Sequence, residues 1–421
     1  MKKILFVAMQ NSPHTIRWIL QAQSEEWEVH LFPISQYPLH PDMPSWVKVH
    51  HPWKIARASF GSGFLTSPIV TGNILLAYLS SLFNFRQRIP ILSSLMLFLV
   101  DSFRSSLGVS GNTSPIAYGP FVLSQLIKNL KPDLIQSLEF QHAGYCVYAA
   151  RGLMDNKLFP KWMGTVWGSD IFYYRNIPNH LIQIKELLSA LDIFSCECKR
   201  DIDFARELGF TGVISPVLPD AGSVDVSNLK QWRDLIVPSK RKLILLRGYQ
   251  SFSGRALTAL DALEMCHEKL HGYRILVYSA SNEVKQRVKE LALSTSIDIH
   301  ILAQITPYAM LRLFARARLF IGISISDGIS RSMIEAMAMG AFPIQTDTSC
   351  CEEWIIDGVN GYSVPVDDIV VISGKIQSAL ANNAMVDNAS RMNYAIIDER
   401  LNNETLTSHA LEFYRTTLGL C

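Results

Sequence analysis

Short apolar runs of strand length alternate along most of the chain with stretches in which apolar positions recur every three or four residues. The runs read as buried strands and the recurring positions as helices packed on them. A first set comprises Lys3–Met9, Glu28–Ile34, Val47–His51, Leu134–Glu139, Trp162–Val166, Ile193–Cys196 and Val213–Val217. A second comprises Leu243–Arg247, Arg274–Tyr278, Asp298–Leu302, Leu319–Ser324 and Phe342–Gln345, alternating with helical patterns around 255–270, 283–294, 307–317 and 331–339. Alternation of this kind predicts parallel sheets joined by right-handed crossovers. Two sets predict an α/β protein of two Rossmann-like domains, residues 1–220 and 229–398. The hinge is expected in Ser215–Asn228, where proline, glycine and short polar residues cluster.

The pattern breaks once. Lys54–Pro115 is far longer than a crossover between the third strand and the helix before Leu134 requires. It holds ILLAYLSSLF and IPILSSLMLFLV, each too short to span a bilayer. Lys54, Arg57, Arg86, Arg88 and Arg104 stand there against Asp101 alone. Two readings fit: helices that cover the first sheet, or an interfacial insertion (54–115) whose apolar faces enter the headgroup layer while its cations meet an anionic membrane surface.

The most informative stretch is Ala317–Thr346. It reads as a strand, a polar turn at Asp327–Ser330, and a helix over Arg331–Met339 stopped by Gly340. That helix is apolar almost all round, with Glu335 its only acid, and a lone buried carboxylate costs several kcal/mol unless it is hydrogen-bonded. Glu335 therefore needs a partner, either a ligand diol or a nearby Arg or amide. Asp327 sits at the carboxyl end of the strand, where open parallel sheets bind ligands. The N–H groups opening the helix near Gly328, Ile329 and Ser330 favour an anion. Phosphate, ribose hydroxyls and a second polyol would all be met, which is the outline of a nucleotide sugar.

DGISRSMIEAMAMGAFPI, followed by Glu353 and DGVNGYSVPVDD, resembles the donor-site signature of glycosyltransferase family four. The resemblance implies the GT-B fold, two Rossmann-like domains facing a central cleft, and a retaining, metal-independent transfer from a nucleoside diphosphate sugar, uracil being the family's commonest base. It implies a sugar contact for Asp327, one methylene shorter than the family's glutamate, and a ribose contact for Glu335. It also implies that the last helix, around Glu404–Thr417 within 399–421, packs back on the first domain. The acceptor it implies is a glycan or lipid-linked carbohydrate bound by the first domain, in bacterial surface polysaccharide assembly.

Around this core the resemblance thins. Where the family has an Arg and a Lys for the diphosphate, the stretch LILLRGYQSFSGRALTALDA carries Tyr249 and Gly254, flanked by Arg247 and Arg255. Both arginines are expected to turn into the donor site, Arg255 because it begins a helix. WMGTVWGSDI is similar to the family's His-Gly-Ser-Asp turn with Trp167 in the histidine's place. Asp170 is then a candidate catalytic carboxylate beside Asp327, or else a turn-capping residue. His14, Arg17 and His142 are candidate acceptor contacts; the His-Thr-x-Arg-Trp start occurs in several family members, while a helix cap and a solvated charge serve as well for His14 and Arg17. Asp201-Ile202-Asp203 is a literal D-x-D, but it falls at a helix start, where acids complement the dipole.

Composition excludes several classes. With 421 residues, 48% of them hydrophobic, two cores can be buried. A net charge of +2, from 39 basic and 37 acidic residues, gives no field for nucleic acid. Seven cysteines without paired zinc spacing read as reduced, mostly buried thiols; the resemblance implies no metal or cofactor, since helix amino-termini and cations can carry the charge of the leaving diphosphate. MKKILFVAMQNSPH reads as a first strand rather than a signal peptide, and no run of about 20 apolar residues appears, which points to the cytoplasm, with peripheral attachment at the inner membrane face if the insertion is interfacial. The absence of G-x-G-x-x-G weakens a dinucleotide-dependent dehydrogenase. The rivals that remain are a catalytically silent nucleotide-sugar-binding GT-B subunit and a nucleotide-sugar epimerase.

Overall fold

The computed structural model describes residues 1–35, 37–52, 119–219, 230–233 and 236–420. The insertion 54–115 and the central hinge residues 220–229 lie outside the described residues. The first domain runs β1 (Lys2–Ala8), α1 (Pro13–Gln21), β2 (Trp27–Pro33), β3 (Lys48–Val49), α2 (Gly119–Leu130), β4 (Leu134–Leu138), α3 (Tyr145–Arg151), β5 (Lys161–Thr165), α4 (Ser169–Phe172), α5 (Pro178–Ala190), β6 (Ile193–Ser195), α6 (Lys199–Glu207) and β7 (Val213–Ile214). Every pairing is parallel, and the strand order is β3-β2-β1-β4-β5-β6-β7.

The second domain runs β8 (Leu243–Arg247), α7 (Ala256–Met265), β9 (Arg274–Tyr278), α8 (Asn282–Thr295), β10 (Asp298–Ile301), α9 (Pro307–Phe314), β11 (Ala317–Gly322), α10 (Arg331–Ala338), β12 (Phe342–Thr346), β13 (Tyr362–Val364), α11 (Ile369–Ala381), α12 (Asn383–Arg400) and α13 (Asn403–Leu418). Its parallel sheet has the order β10-β9-β8-β11-β12-β13. β4 and β11 are buried along their whole length because helices cover both sheet faces, so even their polar members Gln136 and Arg318 are buried and hydrogen-bonded.

β13 goes beyond the strands expected from the sequence. At three residues it is too short to stand out as an apolar run. The turn before it is specified by side chains instead: Asn360 accepts from the Ile356 N–H at 2.6 Å and donates to the Trp354 carbonyl, and Gly358 takes φ 76°. α13 lies against the first sheet, where the Tyr414 hydroxyl donates to Gln136 Oε1 at 2.6 Å and Lys161 Nζ reaches the Thr417 carbonyl.

Both sheets reverse their winding once, between β1 and β4 in the first and between β8 and β11 in the second. Ligands of doubly wound sheets sit at the carboxyl edge of such a switch point. The chain leaving β1 and β4 carries His14 and His142, and the chain leaving β8 and β11 carries Arg247 and Asp327. A hollow of about 590 Å³ lined by Lys242, Arg274, Asp298 and Arg316 lies at the opposite, amino-terminal edge of the second sheet and is remote from both switch points.

Candidate active site

At the second switch point Arg247, the last residue of β8, donates from Nη1 to Asp327 Oδ2 at 3.0 Å. The other Asp327 oxygen accepts from the Gly328 N–H at 3.1 Å. The two side chains are 24% and 26% exposed, so the pair faces the cleft without being fully solvated. Burial pulls the Arg247 guanidinium down, and the Asp327 charge more than offsets it, leaving the group more firmly protonated than usual.

Ser330, fully buried, caps α10 by accepting from the Met333 N–H. One turn in, Glu335 accepts from Arg331 Nε at 2.6 Å. The partner this carboxylate requires is thus Arg331, four residues earlier on the same helix. Burial still pushes the Glu335 carboxyl above its ordinary range against the opposing pull of Arg331 and Arg247. Arg255 behaves differently from Arg247: its Nη1 folds back onto the carbonyls of Ser251, Phe252 and Gly254, while its N–H donates to the Ile323 carbonyl. Its guanidinium holds together the loop that braces the exit of β11.

At the first switch point β4 is followed directly by Glu139, buried, with φ 70° and ψ 155°. A non-glycine residue with positive φ carries strain and is worth attention where a ligand is expected. Here the conformation lets the Glu139 carboxylate accept from the main-chain N–H of His142 at 2.7 Å and of Ala143, while His142 Nδ1 lies 3.2 Å from the other oxygen. Glu139 thereby raises the His142 pKa above its usual value. His142 presents a ring that is 42% exposed.

Asp170 is 4% exposed, and both its oxygens are taken by main chain: Oδ1 by the Phe140 N–H and Oδ2 by the Trp167 N–H, each at 2.7 Å. Burial, and then the Glu139 charge, push its carboxyl up to about 7, with the two N–H donors pulling the other way. Asp170 therefore braces the turns after β4 and β5 and presents no free oxygen to a reacting atom. Trp167 meets His14 in a ring stack, with centroids 5.1 Å apart. The α1 cap is Ser12, whose hydroxyl accepts from the His14 N–H, so His14 is not the cap, and Arg17 lies half-buried one turn on.

The two domains meet across these loops. Ser169 Oγ and Ser326 Oγ stand 2.8 Å apart. Gly168, at φ 96°, lies so close to the second domain that a Cβ there would come within 2.2 Å of Gly328 Cα. Arg200 spans the seam, donating to the carbonyls of Asp327 at 3.1 Å and Thr348 at 3.0 Å and stacking over Phe172. Glu353 Oε1 accepts from the N–H groups of Lys199 and Arg200, so a carboxylate of the second domain sits at the amino-terminus of α6 in the first. In the D-x-D, Asp201 is fully buried against Arg200 while Asp203 is exposed, because residues two apart on a helix face different ways. Those two carboxylates cannot grip one metal ion.

Sequence reasoning missed Glu139 and Arg200. A charged residue ending a buried strand was a signal for Glu139, but nothing in the spacing shows that Arg200 reaches a loop 127 positions away.

Two parallel-sheet domains whose switch points face one another across a seam define the GT-B fold. Residues 235–397 match the family described as glycosyl transferases group 1, with which the resemblance to glycosyltransferase family four is consistent. No curated protein matches the chain. Among solved structures the chain is similar to sucrose-phosphate synthase from Thermosynechococcus elongatus (14% identity, covering 100% of both chains, TM-score 0.65). It is similar also to Anabaena HepE in complex with UDP and glucose (13% identity, covering 99% of this chain and 100% of that one, TM-score 0.63). A third is a UDP-forming α,α-trehalose-phosphate synthase from Burkholderia xenovorans (14% identity, covering 100% of this chain and 99% of that one, TM-score 0.64).

Proposed function

We propose that this glycosyltransferase moves a sugar, with retention at the anomeric carbon and without a metal ion, from a UDP sugar to a glycan or lipid-linked acceptor in surface polysaccharide assembly. The observation that carries the reading is the Arg247–Asp327 pair at the second switch point, 3.0 Å across and turned to the cleft. A donor would divide that pair, its diphosphate taking Arg247 and a sugar hydroxyl taking Asp327. The departing diphosphate gains charge in the transition state, and a fixed cation together with the opening N–H groups of α10 stabilises that charge. Glu335 turns from Arg331 to the ribose hydroxyls. His142, held by Glu139, and the His14–Trp167 stack face the acceptor side, with Asp170 as a positioning residue behind them. HepE in complex with UDP and glucose, and the UDP-forming trehalose-phosphate synthase, support uridine as the base.

The test is a thermal-shift screen of nucleotides and nucleotide sugars, followed by turnover of every binder with and without acceptors. A ligand at 100 times its dissociation constant should add about 2.7 kcal/mol. Retention is read from the anomeric configuration of the product. Binding without turnover would identify a silent subunit, and conversion of the donor without acceptor an epimerase. Among the described residues no helix is long and apolar enough to cross a membrane. Attachment at the cytoplasmic face therefore rests on the basic, apolar sequence of 54–115, and is tested by flotation with anionic and neutral vesicles, using the protein and its Arg86→Glu/Arg88→Glu variant. Binding indifferent to lipid charge and to those changes would leave a soluble acceptor.

A further inference from the structure

Cys198 follows β6 in the first domain and Cys350 follows β12 in the second. Both are buried, and their sulfurs lie 2.6 Å apart across the seam. Cys350 also holds φ 50°, a left-handed conformation that a cysteine adopts at a cost. With the Asp201 carboxylate the two sulfurs form a cluster within 4.8 Å that a metal could occupy. Two features weigh against a metal. Arg200 already pairs with Asp201 at 3.0 Å and supplies the positive charge. Two thiolates on one tetrahedral zinc at about 2.3 Å would stand roughly 3.7 Å apart, whereas a sulfur–sulfur bond needs about 2.05 Å. Closing to a bond takes about half the movement that opening around a metal would.

We infer that Cys198 and Cys350 are an oxidisable dithiol whose disulfide ties the two domains together with the seam closed. Hydrogen peroxide serves as the oxidant. One thiolate sulfur attacks a peroxide oxygen and becomes a sulfenic acid, and the displaced hydroxide leaves as water with the proton of that thiol. The second sulfur then displaces the sulfenic hydroxyl, which leaves as a second water with the second proton. Two sulfurs lose two electrons and the peroxide gains them. While the seam is closed, contact with Cys350 and burial hold the Cys198 thiol strongly protonated. The first step therefore belongs to the parted seam, and closure delivers the second sulfur. Arg200, two residues from Cys198, grips the carbonyls of Asp327 and Thr348, so the tie fixes the loop a substrate must pass. That consequence rests on the proposed transferase reading; the cross-link does not.

The experiment treats the full-length protein with hydrogen peroxide, alkylates it under denaturing conditions, and reads intact mass and a peptide map. The expected result is two fewer alkyl groups than the untreated protein takes up, because two thiols have become a disulfide, with Cys198 and Cys350 in one linked peptide that dithiothreitol separates. Cys198→Ser and Cys350→Ser should each abolish the shift; if either fails to fold, the map of the wild-type protein decides alone. Transferase turnover, measured in parallel, should fall about tenfold on oxidation and return on reduction. No linked peptide, a link through Cys196 or Cys351 instead, or one equivalent of zinc in the freshly purified protein that Cys198→Ser releases would each overturn the inference.

Discussion

Arg247 and Asp327 close the gap between β8 and β11, two strands whose exits bracket the switch point, with 3.0 Å between guanidinium nitrogen and carboxylate oxygen. Each is the other's counter-ion, and under the proposed function a donor would divide them. Arg247→Met should therefore slow turnover by roughly 10²–10³, the range for losing one preorganised charge-stabilising group. Asp327→Asn should affect transfer more than binding of free UDP. Steady-state kinetics and UDP titration on both variants check this, and unchanged turnover in Arg247→Met would remove that residue from the diphosphate site.

Among the described residues, Glu335 takes its side-chain hydrogen bond from Arg331. If it exchanges that partner for two ribose hydroxyls, Glu335→Ala should weaken UDP binding by about 1.5–3 kcal/mol, the range for hydrogen bonds to a charged group. Calorimetry with UDP and with 2′-deoxy-UDP reads the effect, and the deoxy analogue should lose little further affinity in the variant. Equal losses in both proteins would point to a structural role on α10.

Asp201 and Asp203 face different environments, one fully buried on Arg200 and one in solvent. If phosphate charge is met, as proposed, by a guanidinium and helix N–H groups rather than by a divalent ion, turnover should stay within about twofold when EDTA is added. Activity abolished by EDTA and restored by manganese would return the D-x-D to consideration.

Asp170 has a carboxyl raised from 3.8 to about 7. A raised folded pKa means that its contribution to stability is complete below the unfolded value and is lost as the pH climbs through the folded one. Between pH 4 and pH 7 the wild-type protein should therefore lose stability relative to Asp170→Asn, and above pH 7 the difference should level off. Tm against pH for the two proteins is the measurement, with parallel curves as the contrary result.

Gly168 and Gly328 let two backbones touch where the domains meet. Gly168→Ala places a methyl group against Gly328 and demands φ 96° of an alanine, so it should wedge the seam. Small-angle scattering should show a larger radius of gyration, with both domains still folded by circular dichroism. An unchanged radius would mean that the closed seam tolerates the displacement.

The chain shows its fold more openly than its site. Central strands such as β1 and β8 stand out because burial made most of their positions apolar, while β13, three residues long and set by the Asn360 turn, gave no such run. Glu335 betrayed itself as a carboxylate on an apolar helix, although its partner had to be seen. Arg255 illustrates the limit: beginning a helix says nothing about where a long side chain folds, and this one turned to its own loop. Asp170 and Arg200 owe their roles to neighbours 30 and 127 positions away, and no local spacing encodes such distances.

Glu353 at the head of α6 has a bearing on how such proteins can be recombined. Each half carries a sheet of its own, yet the first half borrows the acid that satisfies its own helix from the second. A hybrid joined at the hinge would inherit an α6 whose leading amides meet whatever the new half offers there. If that is not a carboxylate, about 0.5–2 kcal/mol of capping is lost, and the damage would surface in the half that was left unaltered.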